Sequence, residues 1–138
     1  MRLSTALLPL MLVASAYAAP WRVKTRVAQA EKASNTFRSI FEREMGDYGW
    51  GKLKFGADAK LKVRRLDESM ERLRRQADDN RPMKGRDEMV AVVSRARAVD
   101  AVFRAHPEIA GTTRPRWARL RTQLNGLARS YELRPVTR

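Results

Sequence analysis

The 138-residue sequence contains no cysteine, which excludes disulfide bonds and a lipid-modified cysteine. It contains one histidine, His106, which precedes Pro107. A zinc site needs three or four nitrogen, sulfur or carboxylate ligands close together, and a Ser-His-Asp mechanism would have to use this single histidine. We expect its side chain to lie near the last carbonyls of a helix instead. The sequence therefore predicts no catalytic residue, no metal site and no cofactor.

The sequence also has no signature of a glycine-rich phosphate loop or of β-strands. The glycines of the stretch GDYGWGKLKFG at 46–56 match neither a P-loop nor a dinucleotide-binding fingerprint. No segment alternates between polar and apolar residues over a useful length, so we expect no strands. After residue 18, no apolar run reaches the length of about 18 residues that crosses a bilayer.

The first eighteen residues, MRLSTALLPLMLVASAYA, have the pattern of a secretory signal peptide. Arg2 supplies a positive charge, residues 7–14 form an apolar run broken by Pro9, and Ala16-Tyr17-Ala18 is a small-x-small cleavage site. The alternative is an apolar first helix of the folded domain. We expect cleavage after Ala18, which leaves 120 residues and places the protein in the periplasm or outside the cell.

Four later segments repeat apolar residues at spacings of three and four, which is typical of helices that pack along a narrow seam. We expect helices at about 22–45, 57–79, 86–106 and 113–132. Their similar lengths and short connections favour an all-α fold, an antiparallel up-down-up-down four-helix bundle over 19–133. Residues 134–138 are predicted to form a frayed tail.

The apolar stripes also predict a core. Its members are the large side chains Phe37, Phe41, Leu66, Met70, Leu73, Val92, Val99, Phe103, Trp117, Leu120, Leu124 and Leu127. Carboxylates such as Glu42, Glu44, Asp67, Glu68 and Glu71 lie among arginines, so we expect them on outer helix faces as partners in surface ion pairs.

Positive charge dominates the composition. Lysine and arginine number 29 against 15 acidic residues, a formal net charge of +14 that falls to +13 when Arg2 leaves with the signal peptide. Such a charge attracts anions: lipopolysaccharide or phospholipid head groups, acidic proteins or, less favoured, nucleic acid. The alternative is that most of these side chains are merely solvated and reflect genome composition.

In an antiparallel bundle, the loop after the first helix, the start of the second, the end of the third and the start of the fourth meet at one end. That end would gather the basic residues Lys52, Lys54, Lys60, Lys62, Arg64, Arg65, Arg104, Arg114, Arg116, Arg119 and Arg121. The helix dipole disfavours arginine at a helix N-terminus, so Arg114 and Arg116 predict an anion docked there, bound also by free N–H groups. We expect weak, salt-sensitive binding that falls when Arg114, Arg116, Arg119 and Arg121 are replaced by Gln.

The loop of this end adds three aromatic residues, Tyr48, Trp50 and Phe55. They could stack on a base or sugar, or insert into a lipid head-group layer. The alternative is a small aromatic plug folded over the end of the bundle.

Three stretches, VRRLDESMERLRR at 63–75, VVSRARAVDAVFRAH at 92–106 and WARLRTQLNGLARSYEL at 117–133, resemble a family of small exported bacterial arginine-rich helical proteins of unknown function. The last helix of that family often has a Trp-x-x-Leu-Arg…Leu-x-x-Leu-Ala-x-x-Tyr pattern. The matching residues here are Trp117, Leu120, Arg121, Leu124, Leu127, Ala128 and Tyr131. The resemblance implies a signal peptide followed by four helices, and it implies no activity.

These observations favour a non-enzymatic exported protein whose basic bundle end binds an anionic envelope component or an acidic partner protein. One alternative is an extracytoplasmic holding chaperone, although residues 120–124, LRTQL, do not reproduce the LTxxQ repeat of such chaperones. A second is a secreted effector, for which residues 64–67, RRLD, fall one residue short of an RxLR motif. The sequence leaves open a monomer or a dimer.

Overall fold

The computed structural model describes residues 23–109 and 111–137. Within these ranges the protein is all-helical, with four α-helices and no strand, as predicted. The helices are α1 (Val23–Asp47), α2 (Lys54–Gln76), α3 (Arg86–Ala105) and α4 (Thr113–Ser130), and a short 3-10 helix (Trp50–Lys52) joins α1 to α2. The predicted signal peptide, 1–18, lies outside the described residues.

Helix α2 begins and ends earlier than the expected 57–79. It begins at Lys54 because Gly56 lets its first turn approach the 3-10 helix: a Cβ at this position would lie 2.5 Å from the Trp50 carbonyl oxygen. It ends at Gln76 because the backbone of Ala77 is extended, with φ −61° and ψ 129°.

The four helices bury their apolar stripes in one core. Every side chain of the predicted core is buried, and Phe37, Phe41, Phe103 and Trp117 form an aromatic cluster at its centre. The rings of Phe103 and Trp117 stack with centroids 5.9 Å apart. Such aromatic pairs contribute about 0.5–1.5 kcal/mol beyond the area that they bury.

Helix α1 packs against α2 and α4, and α3 packs against α2 and α4. At the start of α1, the Lys24 N–H donates to the Asp79 carboxylate at 3.0 Å and Arg26 donates to the Ser130 hydroxyl at 2.8 Å. The beginning of α1 therefore lies beside the ends of α2 and α4. No helix within 23–109 and 111–137 is long and apolar enough to span a bilayer.

The chain after α4 packs against the protein through Thr137, so the prediction of a frayed tail is wrong for these residues. Val136 is only 4% exposed, and its N–H donates to Asn125 Oδ1 at 2.8 Å. The carbonyl of Pro135 accepts a hydrogen bond from Arg97 at 3.2 Å. An apolar side chain and two hydrogen bonds to α3 and α4 hold the segment down.

Candidate functional site

The N-terminus of α4, where we expected an external anion, is occupied by a carboxylate of the protein itself. Glu44, near the end of α1, accepts the backbone N–H groups of Thr112 at 3.1 Å and Thr113 at 3.0 Å. Both threonine hydroxyls also donate to its two oxygens. Two N–H groups at this end of α4 are thus satisfied from within the fold, and a negative charge lies at the positive end of the helix dipole. An external anion at these two N–H groups would have to displace Glu44, so the predicted docking of an anion here stays untested.

The pKa of Glu44 follows from this arrangement. Burial alone would raise the pKa of this carboxyl, but the hydrogen bonds from Thr112 and Thr113 outweigh burial and hold the pKa below its usual value. The group is therefore a carboxylate at neutral pH, and it links the end of α1 to the start of α4.

Arg114 is also used within the fold. Its Nε donates to the Ile109 carbonyl at 2.9 Å, and its Nη2 donates to the carbonyls of Phe103 at 3.1 Å and His106 at 3.0 Å. Its guanidinium lies over the Phe103 ring, 5.3 Å from the centroid. Arg114 therefore satisfies carbonyls at the C-terminus of α3, the place that we expected for the His106 side chain.

Asp100 neutralises two further members of the predicted cluster, Arg104 and Arg121. The carboxylate is 1% exposed, and its Oδ1 accepts from Trp117 Nε1 at 3.0 Å and from Arg121 Nη1 at 2.9 Å. Arg104 Nη2 lies 2.9 Å from Oδ2, an ion pair without hydrogen-bond geometry. Burial acts to raise the pKa of Asp100, but the bonds from Trp117 and Arg121 and the two arginine charges lower it overall.

Four buried carboxylates, among them Glu31, were thus not identified from the sequence. Glu44 and Asp67, expected on outer faces, are both buried, and so is Asp100. Asp67 accepts from Ser34 at 2.9 Å and from Arg38 at 3.2 Å, which links α2 to α1. The apolar stripes gave no signal for them, because a charged residue at the edge of a stripe matches a solvated residue until its partner on another helix is known.

The basic residues after α1 have a different character. Lys62 pairs with Asp58 at 2.7 Å, and Lys60 is half-buried. The remaining four side chains are exposed and form no ion pair within the described residues: Lys52, Lys54, Arg64 and Arg65. This part of the predicted cluster keeps its charge available to a partner.

The three loop aromatics divide between the two predicted roles. Phe55 is half-buried and stacks on the His106 ring with centroids 3.8 Å apart, and Trp50 is buried, so both cover the end of the core. Tyr48 stacks on Trp50 at 4.8 Å yet remains 58% exposed. Phe55 and Trp50 therefore form the predicted aromatic plug over the end of the core, while Tyr48 faces outwards.

Arg116 and Arg119 lie apart from the other arginines of α4, on the face towards α1. They line a groove of about 350 Å³ with Lys32, Ala33, Phe37 and Leu120. Lys32 was missing from the predicted cluster because it lies in the middle of α1, and only the pairing of α1 with α4 brings it to these arginines. Within 23–109 and 111–137, no group of three or more His, Asp or Glu side chains could hold a metal ion.

Comparisons with protein families, with curated proteins and with solved structures find no match to this chain. The resemblance to exported arginine-rich helical proteins therefore stays a prediction.

Proposed function

We propose that this protein is exported and binds an anionic lipid surface of the bacterial envelope, without catalysing a reaction. The observation that carries the proposal is the surface formed by the loop after α1 and the first turn of α2, named here the loop surface: Tyr48, Lys52, Leu53 and Lys54. All four side chains are exposed.

The apolar part of the loop surface is unusual. Tyr48 is 58% exposed and Leu53 is 48% exposed, although the neighbouring Trp50 and Phe55 are folded against the protein. An exposed leucine between two lysines, with an exposed tyrosine four residues before the first of them, suits the boundary between lipid head groups and acyl chains. Lysines at such a boundary keep their ammonium groups in water beside anionic head groups.

The charge of the neighbourhood supports the same partner. Arg64 and Arg65 lie further along α2, are exposed and add positive charge without a described ion pair. Of the nearby acidic residues, Asp58 is paired with Lys62, and the exposed Asp47 leaves the cations in excess. An excess of cations attracts an anionic bilayer strongly at low salt and weakly at high salt.

We also propose that the helices run up and down in antiparallel order, which places the loop surface at one end of the bundle. Contacts at both ends of α1 support this order. The start of α1 contacts Asp79, which follows α2, and Ser130, which is the last residue of α4. Near the end of α1, Glu44 binds the start of α4. The stacking of Phe55 on His106 brings the start of α2 to the end of α3.

A non-enzymatic role is supported by what the buried carboxylates do. Glu44 binds the start of α4, Asp67 joins α2 to α1, and Asp100 holds Trp117 and Arg121. Each of these groups, which are the acids most protected from water, serves a partner in the folded protein.

The test is co-sedimentation of the purified protein with phosphatidylglycerol-containing vesicles and with pure phosphatidylcholine vesicles, at about 50 and 500 mM salt. We expect binding to the anionic vesicles at low salt only. Replacing Lys52 and Lys54 by Gln should weaken it roughly tenfold or more, because each basic residue near an anionic surface contributes about 1 kcal/mol.

Matched controls come from the connection between α2 and α3. Lys84 and Met83 are exposed there, so Lys84→Gln and Met83→Ser should leave vesicle binding unchanged, whereas Leu53→Ser should lower it. Equal binding by the Lys52/Lys54 variant and the parent protein would overturn the proposal. Binding to soluble polyglutamate but not to anionic vesicles would point to an acidic protein instead.

A further inference from the structure

A second candidate site lies in the groove between α1 and α4, away from the loop surface. Its floor is apolar, formed by Ala33, Phe37 and Leu120, and its rim is basic, formed by Lys32, Arg116 and Arg119. The volume of about 350 Å³ falls within the range of about 300–1,000 Å³ that is typical of small-molecule clefts.

The charge of the rim is uncompensated. No carboxylate lines the groove, and none of the three cations forms an ion pair within the described residues. Elsewhere on the same helix, Arg121 has Asp100 as its counter-charge. Two guanidinium groups and an ammonium group beside one groove favour an anionic head group, to which guanidinium donates paired hydrogen bonds.

The groove is also long enough for more than a head group. A second hollow of about 130 Å³ adjoins it on the seam between α1 and α4; the two share Gln29 and Gln123, and the second is more polar, with Arg26 and Thr122 in its lining. From Phe37 to Arg26, helix α1 rises roughly 17 Å. A linear chain therefore fits the shape better than a compact ring system.

We infer that this groove binds a single-chain amphiphilic anion, with a carboxylate or phosphate head at Lys32, Arg116 and Arg119 and an aliphatic chain along the seam. The floor and the aliphatic stems of the three basic side chains cover the chain from water, at about 25 cal/mol for each Å² of apolar surface that is buried.

The inference is independent of the loop surface, because the two sets of residues do not overlap. The Lys52→Gln/Lys54→Gln variant should bind the amphiphile as the parent protein does. If this variant loses vesicle binding and keeps amphiphile binding, the result supports both proposals. The vesicle experiment can contradict the proposed function alone, and the amphiphile experiment can contradict the groove alone.

The experiment is isothermal titration of the purified protein with monomeric dodecanoate, dodecyl phosphate and, as a neutral control, dodecanol. We expect saturable binding of one or both anions and none of dodecanol. Binding of dodecanoate alone would identify a fatty acid, and binding of dodecyl phosphate alone would identify a phospholipid-derived chain.

Two double variants make the test specific to the groove. Arg116→Gln/Arg119→Gln should weaken binding of the anion about tenfold or more, because it removes two charge-assisted donors. Arg95→Gln/Arg129→Gln removes the same net charge from exposed positions outside the groove and should not change the affinity. Equal affinities of the two double variants, or equal binding of dodecanol, would overturn the inference.

Discussion

Two faces of α4 carry arginines that are alike in sequence and opposite in their surroundings. On the face towards α3, Arg114 binds three backbone carbonyls and Arg121 binds the buried Asp100. On the face towards α1, Arg116 and Arg119 border a groove and have no described ion pair. The first face uses its charge to hold the fold together, and the second leaves it available.

The comparison changes how a binding experiment should be designed. Replacing Arg114, Arg116, Arg119 and Arg121 together, as the sequence suggests, would remove two arginines that hold the fold together along with the exposed charge. A loss of binding would then not separate an unfolded protein from a missing site. Only Arg116 and Arg119 can test the binding face alone.

The largest expected effect belongs to the core on which both faces depend. Leu124 lies on α4 and is fully buried, so Leu124→Ala should lower the free energy of unfolding by about 2–5 kcal/mol through lost transfer energy and a residual cavity. Urea denaturation followed by circular dichroism measures it. A loss under about 1 kcal/mol would mean that the α4 seam is not packed as described.

A smaller loss is expected at the centre of the structural face. Asp100→Asn keeps the shape of the side chain but removes its negative charge. That charge faces Arg121 and Arg104, and it also strengthens the hydrogen bond from Trp117. The free energy of unfolding should therefore fall by about 2–3 kcal/mol. Glu71→Gln exchanges an exposed carboxylate for an amide within α2, so it is the matched control and should change stability by less than about 0.5 kcal/mol. Equal stabilities of the two variants would remove the distinction between the faces.

Glu44 gives the structural face a pH dependence. Its folded pKa is depressed, so its contribution is present above the usual value of 4.5 and is lost as the pH falls through the folded pKa. Glu44→Gln should cost about 1–2 kcal/mol at pH 7, and the difference from the parent protein should shrink below about pH 4.5. Thermal unfolding between pH 3 and pH 7 tests this, and a difference that does not change with pH would contradict it.

The sequence predicts the helices and the core better than the charged contacts, for a physical reason. An apolar stripe is a local pattern, and the predicted core residues from Phe37 to Leu127 are all buried. The partners of Glu44 and Asp100 depend on which helix lies opposite: Thr112 and Thr113 are more than sixty residues away from Glu44. The place of Lys32 in the candidate groove likewise depends on the packing of α1 against α4, which the sequence pattern does not specify.

The smallest expected change in stability comes from single arginines on the two faces of α4. Arg114→Gln should lower stability by about 1 kcal/mol, because it breaks the bonds to the carbonyls of Phe103, His106 and Ile109. Arg116→Gln, two residues away and with the same change of charge, should stay within about 0.5 kcal/mol of the parent protein.

Chemical denaturation of both variants at the same salt concentration measures the difference. The net-charge change is identical, so a general relief of repulsion among the cations would stabilise both equally and cancel in the comparison. A stability that falls only for Arg114→Gln would assign the two arginines to different roles. Equal losses would mean that Arg116 also supports the fold, and its use as a reporter of binding would have to be abandoned.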